Sequence, residues 1–186
     1  GYKDCIVFSN YGVILKNLGK LNEAEILQRK AIELNPKNAE AHSNLGNILR
    51  DLSNLKEAEI STRKAIQLNP NYAEAYSNLG GILRDLGKFN DAINHYKKAI
   101  KLNNKLSMAK VGLIETKGLI CDWRDQNTAI NFLDKLGIEG PSINPFNLFY
   151  FEDNPLKQLQ RAKSFYKHKY YKESKSIDKV IKNKIN

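Results

Sequence analysis

Apolar residues recur along this chain with the spacing of amphipathic helices, and the pattern returns every 34 residues. Residues 39–72 and 73–106 are identical at 18 of their 34 aligned positions, and a weaker copy covers residues 5–38. Within each copy, positions 4, 7, 11 and 14 are mostly apolar and fall on one stripe of a helix. A fixed period of this length predicts an all-α fold, a right-handed superhelix of stacked helix pairs, or α-solenoid. Residues 1–106 would then hold three repeats.

Small residues predict that each repeat consists of two antiparallel helices in close contact. Glycine stands at position 8 and alanine at positions 20 and 27 of all three copies, counted from Cys5, Ala39 and Ala73. Gly19 and Gly87 come just after the first helix, where a left-handed residue without a side chain ends a helix at no steric cost.

The second helix of each repeat also has marked ends. We expect Asn22 to cap its start, with Glu25 three residues later completing a capping box. Pro36 and Pro70 end the helix in two of the copies. Each helix would have about 12–14 residues and a length of roughly 20 Å. Taken together, these features resemble the signature of the 34-residue tetratricopeptide repeat.

The register continues beyond residue 106, but the signature fades. We expect a degenerate terminal helix pair in residues 107–136, with helices at 107–120 and 125–136. Residues 137–186 would hold a loop rich in glycine and proline, a helix at 155–171 and a basic tail. At the other end, residues 1–4 align with the turn between two repeats, so we expect further repeats upstream.

The net charge of +10 belongs mainly to the last residues of the chain: residues 155–186 contribute +8. A basic tail can bind nucleic acid or an anionic surface. A solvated lysine-rich face is the simpler interpretation, so nucleic acid is not an expected partner. Cys5 and Cys121 show no disulfide pattern, and no run of about 20 apolar residues could cross a membrane. We therefore expect a cytoplasmic protein with no membrane partner.

Two further features narrow the class of protein. Position 6 is asparagine in all three repeats, and Cys-Asp-Trp-Arg-Asp follows the repeats at residues 121–125, with Pro-Ser-Ile-Asn-Pro-Phe at residues 141–146. Together with a helix-forming segment at residues 153–162, these features resemble the repeat arm and linker of the O-linked N-acetylglucosaminyltransferase family, especially its bacterial members. The resemblance implies an arm that recruits protein substrates for a glycosyltransferase domain in the same polypeptide.

By the same resemblance, the whole enzyme would transfer N-acetylglucosamine or another sugar from a UDP-sugar to serine or threonine hydroxyls. The catalytic domain of the family would follow residue 186. We therefore expect no catalytic, cofactor-binding or metal-binding residue in this chain.

The concave groove lined by the first helices is the candidate site. An asparagine amide can pair with both the C=O and the N–H of an extended peptide, so Asn10, Asn44 and Asn78 are expected to hold a peptide backbone whatever its sequence. Charged residues at positions 12 and 13 could select the side chains of that peptide: Arg50, Arg84, Asp51 and Asp85. The alternative is that the series has no function, because the chain contains 22 asparagines and duplication copies any residue.

A second function is compatible with the repeats, that of a stand-alone adaptor or scaffold in a protein complex. One kind of adaptor is not expected. Repeats that clamp the terminal carboxylate of a chaperone generally carry lysine near position 5, where this chain has Ser9, Ser43 and Ser77.

Overall fold

The computed structural model describes residues 2–122 and 155–169, and every element in these two ranges is helical. Seven helices belong to one compact unit, Gly1–Asp122, and an eighth belongs to a second unit, Trp123–Asn186. In chain order the helices are α1 (Tyr2–Asn17), α2 (Leu21–Leu34), α3 (Ala39–Asp51), α4 (Leu55–Leu68), α5 (Ala73–Asp85), α6 (Phe89–Leu102), α7 (Ser107–Leu119) and α8 (Pro155–Lys169).

Most contacts in the first unit join helices that are consecutive in sequence, and most of the rest join first helices of adjacent repeats. The two helices of each repeat pack on each other, and the second helix of each repeat packs on the first helix of the next, as in α2 with α3 and α4 with α5. Elements of a solenoid contact only their neighbours in this way. The predicted all-α solenoid is confirmed.

Left-handed residues end the first helix of each repeat. Gly19 has φ 78°, Gly87 has φ 74°, and Ser53 takes the same conformation in the second repeat with φ 63°. The turn directs the next backbone N–H to a carbonyl inside the last helical turn, with Lys20 N bonded to Leu15 O at 2.9 Å. Because the hydrogen bond closes the helix end, the chain can enter the second helix at once.

The predicted cap at Asn22 is wrong. Helix α2 begins at Leu21, so Asn22 lies inside its first turn, and Lys20 at the cap position makes no side-chain capping bond. The residue that follows the left-handed turn at Gly19 takes the cap position, and in this repeat that residue is Lys20. A side-chain cap does occur at α3, where Asn38 Oδ1 accepts a 3.1 Å hydrogen bond from Ala41 N.

Small residues bring the helices of each repeat together as the sequence predicts. The alanines at positions 20 and 27 are fully buried in all three repeats. The glycine at position 8 faces the residue at position 24, since a Cβ on Gly12 would lie 2.7 Å from Gln28 Nε2 and one on Gly80 would lie 2.8 Å from Tyr96 Cε1. A larger residue at position 8 would therefore force the side chain at position 24 to move.

Beyond the third repeat, α7 packs on α5 and α6. Its predicted partner at residues 125–136, the loop at 137–154 and Trp123 lie outside the described residues. Helix α8 begins at the predicted residue and is described as far as Lys169. Cys121 is exposed and has φ 54°, just after the end of α7.

Candidate functional site: the inner groove of the repeats

The first helices line the inner side of the array. Helix α1 contacts α3, α3 contacts α5 and α5 contacts α7, whereas successive second helices make fewer contacts with one another. An array whose first helices lie closer together than its second helices must curve toward the first helices. Positions 5, 6, 9, 12 and 13 of α1, α3, α5 and α7 therefore belong to this inner groove.

Two of the three predicted asparagines make equivalent hydrogen bonds to the preceding repeat. Asn78 Nδ2 donates a 3.0 Å hydrogen bond to Ser43 Oγ, and Asn44 Nδ2 donates a 3.4 Å bond to Ser9 Oγ. In each case position 6 of one repeat reaches position 5 of the repeat before it. Both asparagines are half-buried, so each amide group is held in one orientation at the groove surface.

The serines that accept these bonds are themselves fixed. Ser9 Oγ donates to Gln28 Oε1 at 3.0 Å, and Gln28 Nε2 returns a 2.8 Å bond to Ser9 O. Ser43 is 1% exposed and shares a hydrogen bond with the hydroxyl of Tyr72. Burial, with the nearby carboxylates of Glu40 and Glu74, raises the pKa of Tyr72 to about 12, so this hydroxyl stays protonated.

Asn10 differs from the other two asparagines. It lies on α1, the first helix of the array, where no repeat in the described part of the chain supplies a serine before it. Its side chain is exposed. The structure therefore brings Asn44 and Asn78 into one matched arrangement with serines and leaves Asn10 outside it.

Each charged residue predicted to select peptide side chains forms an ion pair with a residue on the first helix of a neighbouring repeat. Arg50 Nε binds Asp85 Oδ2 at 2.5 Å, and Lys16 Nζ binds Asp51 Oδ2 at 3.0 Å. Each pair joins position 12 of one repeat to position 13 of the next. Gly81 leaves room for this arrangement, because a Cβ there would lie 2.8 Å from Arg50 Nη1.

The ion pair of Arg84 differs from the other two in the position of the carboxylate. The degenerate unit that begins at Ser107 is numbered here as the fourth repeat, and its position 13 is Leu119, so Arg84 cannot pair as Arg50 does. Its guanidinium instead binds Glu115, one helical turn earlier, at 2.5 Å. Sequence reasoning missed Glu115, and the signal that could have found it is the loss of the carboxylate at position 13. Lys16, Arg50 and Arg84, the cations at position 12, thus each have a carboxylate partner.

The series of asparagines at position 6 ends at the point where the ring of Tyr96 packs against the first helix of the next repeat. Position 6 of the fourth repeat is Gly112, which is buried, and a Cβ there would lie 2.6 Å from Tyr96 Oη and closer still to the ring. The tyrosine is 3% exposed and fills the space between Gly80 and Gly112. No asparagine at residue 112 could reach the groove while this ring is present.

The described residues offer no arrangement for a metal ion, since no three His, Cys, Asp or Glu side chains among them converge. None of the described helices is both long and apolar enough to cross a membrane. The described groove residues offer hydrogen bonding from fixed amides, flanked by paired charges.

Comparisons with known sequences identify the repeat class. The family described as Tetratricopeptide repeat matches residues 39–72 and 73–106, and the family described as TPR repeat matches residues 12–53. The chain belongs to the tetratricopeptide repeat family over residues 12–106. A comparison with curated proteins gives no match.

Solved structures agree on the fold. The first TPR domain of human RPAP3 has a TM-score of 0.62 at 24% identity, covering 67% of this chain and 99% of that one. The first TPR of Spaghetti (RPAP3) bound to the HSP90 peptide SRMEEVD has a TM-score of 0.61 at 23% identity, covering 65% and 96%. The Arabidopsis OM64 TPR domain has a TM-score of 0.60 at 22% identity, covering 63% and 98%. At these identities the likeness concerns the fold alone.

Proposed function

We propose that this chain is a protein-binding arm that holds extended segments of other proteins in its inner groove. The observation that carries the proposal is the pair of fixed amides at Asn44 and Asn78. Each amide donates one N–H to a serine of the preceding repeat. Its second N–H and its carbonyl oxygen are available for a ligand. Those two groups match the C=O and N–H of a peptide backbone.

The spacing of the asparagines suits an extended chain. Packed helices lie about 8–10 Å apart, and an extended peptide advances about 3.3 Å per residue. Successive asparagines would therefore meet the bound backbone at about every third residue. Because the contacts are to the backbone, the groove would accept many sequences.

The charged residues of the groove have a second role in this proposal. Arg50, Asp85 and their counterparts first stabilise the packing of the repeats, since each is already paired. They would contact a peptide side chain only where it adds a hydrogen bond to an existing pair. Selection by Arg50, Arg84, Asp51 and Asp85 is thus expected to be weaker than binding through the asparagines.

The experiment compares matched asparagine variants. A peptide selected by the wild-type chain from a random-sequence display library is titrated against Asn44→Ala with Asn78→Ala. If each asparagine side chain contributes one net hydrogen bond of about 0.5–1.5 kcal/mol, the two substitutions together should lower the affinity by about 5- to 150-fold. The control is Asn22→Ala with Asn90→Ala, two exposed asparagines on second helices. Equal affinity of both double variants would remove the groove asparagines from the proposal.

We further propose that the arm serves an O-linked N-acetylglucosaminyltransferase-like enzyme. The support is the sequence of residues 121–125 and 141–146 after the repeats, together with the asparagine series. In the natural polypeptide, the reading frame after Asn186 would continue through a domain of alternating strands and helices. That protein would transfer the sugar of a UDP-sugar to a peptide bound in the groove, in a cytoplasmic setting.

The competing proposal is an adaptor without an enzyme. A reading frame that stops shortly after Asn186 would favour it, with peptide binding through Asn44 and Asn78 unchanged. Sugar transfer by the natural full-length protein, lost together with peptide binding in the Asn44→Ala, Asn78→Ala variant, would decide for the glycosyltransferase arm.

A further inference from the structure

One side of the first helix is apolar and uncovered. Val7, Tyr11, Ile14 and Leu18 lie at positions 3, 7, 10 and 14 of the first repeat and are 64%, 53%, 54% and 68% exposed. We call these four residues the α1 face. They form one stripe, since their spacing is that of a single side of a helix.

Positions 3 and 10 of this face are fully buried in the later repeats, whereas position 14 is only partly buried at Leu52 and Leu86. At position 10, Ile48, Ile82 and Thr116 are all fully buried. At position 3, the fully buried residues are Ala41, Ala75 and Ala109. The α1 face is therefore equivalent to a surface that is covered on each later repeat. On the first repeat this surface is open.

The packing of position 10 identifies what covers it. Ile48 packs against Leu15 and Ala24 of the first repeat. Ile82 packs in the same way with Leu49 and Ala58 of the second repeat. In both cases an isoleucine enters a pocket formed by the leucine at position 11 and the alanine at position 20 of the preceding helix pair.

We propose that the α1 face is the docking surface for one more tetratricopeptide repeat, located immediately before this segment in the same polypeptide. At positions 10 and 14 the α1 face carries the same residue types as the covered faces, isoleucine and leucine, and at positions 3 and 7 it is also apolar, with Val7 and Tyr11 in place of alanine and leucine. The occupant is a helix pair with leucine at position 11 and alanine at position 20.

The three junctions between repeats indicate that the docked repeat belongs to the same polypeptide. Each covered face receives the helix pair directly N-terminal to it, across a turn of four residues at 35–38, 69–72 and 103–106. A serine at position 5 of the preceding repeat would also give Asn10 the bond that Asn44 and Asn78 make. Two copies of this chain meeting through their α1 faces would oppose Ile14 to Ile14 and supply no leucine–alanine pocket.

The test adds a repeat in register. A copy of residues 39–72 replaces residues 1–4, so that its second helix precedes Cys5 with the native period. The fusion should raise Tm by at least about 5 °C, because the new interface buries four apolar side chains. Ile14→Glu should change the Tm of the unfused chain by no more than about 1 °C and remove most of the gain in the fusion.

A matched variant checks the comparison. Ile48→Glu should lower Tm in both forms, because Ile48 is fully buried with or without the added repeat. An unchanged Tm on fusion, with Ile14→Glu tolerated equally in both forms, would overturn the proposal. So would a dimer of the unfused chain in sedimentation equilibrium that Ile14→Glu dissociates, since the face would then belong to a second copy. An upstream reading frame that encodes no such helix pair would overturn it as well. This inference does not depend on what the groove binds.

Discussion

The ring of Tyr96 occupies the space that a side chain at Gly112 would need. The tyrosine is on α6 and the glycine on α7, so a residue of the third repeat decides what the fourth repeat can present to the groove. In the second repeat the equivalent of Tyr96 is Thr62, and position 6 of the next repeat carries Asn78. The end of the asparagine series is therefore steric.

We predict that Gly112→Asn destabilises the chain. The new side chain meets a buried ring, and overpacking of this kind costs about 1–3 kcal/mol. Tyr96→Thr, which restores the residue of the second repeat, should recover part of the stability lost in Gly112→Asn. Urea denaturation of the two single variants and the double variant measures this coupling. Additive losses in the double variant would mean that the ring does not exclude the side chain.

Ser53→Gly should stabilise the chain by roughly 0.5–1 kcal/mol. Ser53 has φ 63°, in the left-handed region where Gly19 and Gly87 serve the other repeats. A side chain there costs about 1–2 kcal/mol, partly offset by the greater freedom of glycine in the unfolded chain. The reverse change, Gly87→Ser, should destabilise by a similar amount. Both are read from urea midpoints, and a less stable Ser53→Gly variant would contradict the argument.

The pair formed by Arg50 and Asp85 should show a measurable coupling. Their side chains are 27% and 31% exposed, so the pair is only partly screened by solvent. We expect a coupling energy of about 0.5–1 kcal/mol in a double-mutant cycle of Arg50→Gln and Asp85→Asn. In 1 M salt the coupling should shrink, because the screening length falls to about 3 Å. A coupling of zero at low salt would assign these residues to a partner and not to repeat packing.

Stability should fall on acidification below about pH 6.5. Burial lowers the pKa of His42, and burial with the nearby Arg63 lowers the pKa of His95. Because the unfolded histidines have a pKa of about 6.5, the unfolded state holds more protons between the folded and unfolded values. The free energy of unfolding therefore decreases as pH drops through this window.

His42→Tyr tests this pH dependence, since tyrosine is the residue at the same position of the third repeat. The change in Tm between pH 7.5 and 5.5 should be smaller in the variant, and smaller again when His95→Gln is added. An equal change in the wild-type chain and both variants would show that other groups dominate.

The peptide SRMEEVD should bind this groove with a Kd weaker than about 1 mM. It is the HSP90 peptide of one of the similar structures, and it ends in several carboxylates. The groove cations Lys16, Arg50 and Arg84 are already bound to carboxylates of the array. Isothermal titration checks the expectation, and a micromolar Kd would mean that these ion pairs open for a partner.

Much of the fold could be predicted because it is local. Apolar spacing, the glycines after the first helices and the small residues at positions 8, 20 and 27 each specify their own repeat, and the α-solenoid is confirmed. The cap at Asn22 was a wrong prediction, because a capping signature two residues out of register cannot be distinguished from a helix interior without the preceding turn.

The site was harder to predict, since its order comes from contacts between repeats. Asn44 and Ser9 are 35 residues apart, as are Arg50 and Asp85, and each pair appears only when one repeat packs on the next. Peptide binding by Asn10, Asn44, Asn78 and the charged residues stays a prediction. The exposure of Asn10 separates it from the other two asparagines.

The most direct measurement follows the side-chain amide signals of Asn44 and Asn78 by NMR while a library-selected peptide is added to the ¹⁵N-labelled chain. Single alanine variants assign the signals. We expect both amide groups to shift with the same Kd, whereas the signals of Asn22 and Asn90 on the second helices stay in place. Shifts confined to the second helices, with Asn44 and Asn78 unmoved, would contradict binding in the inner groove.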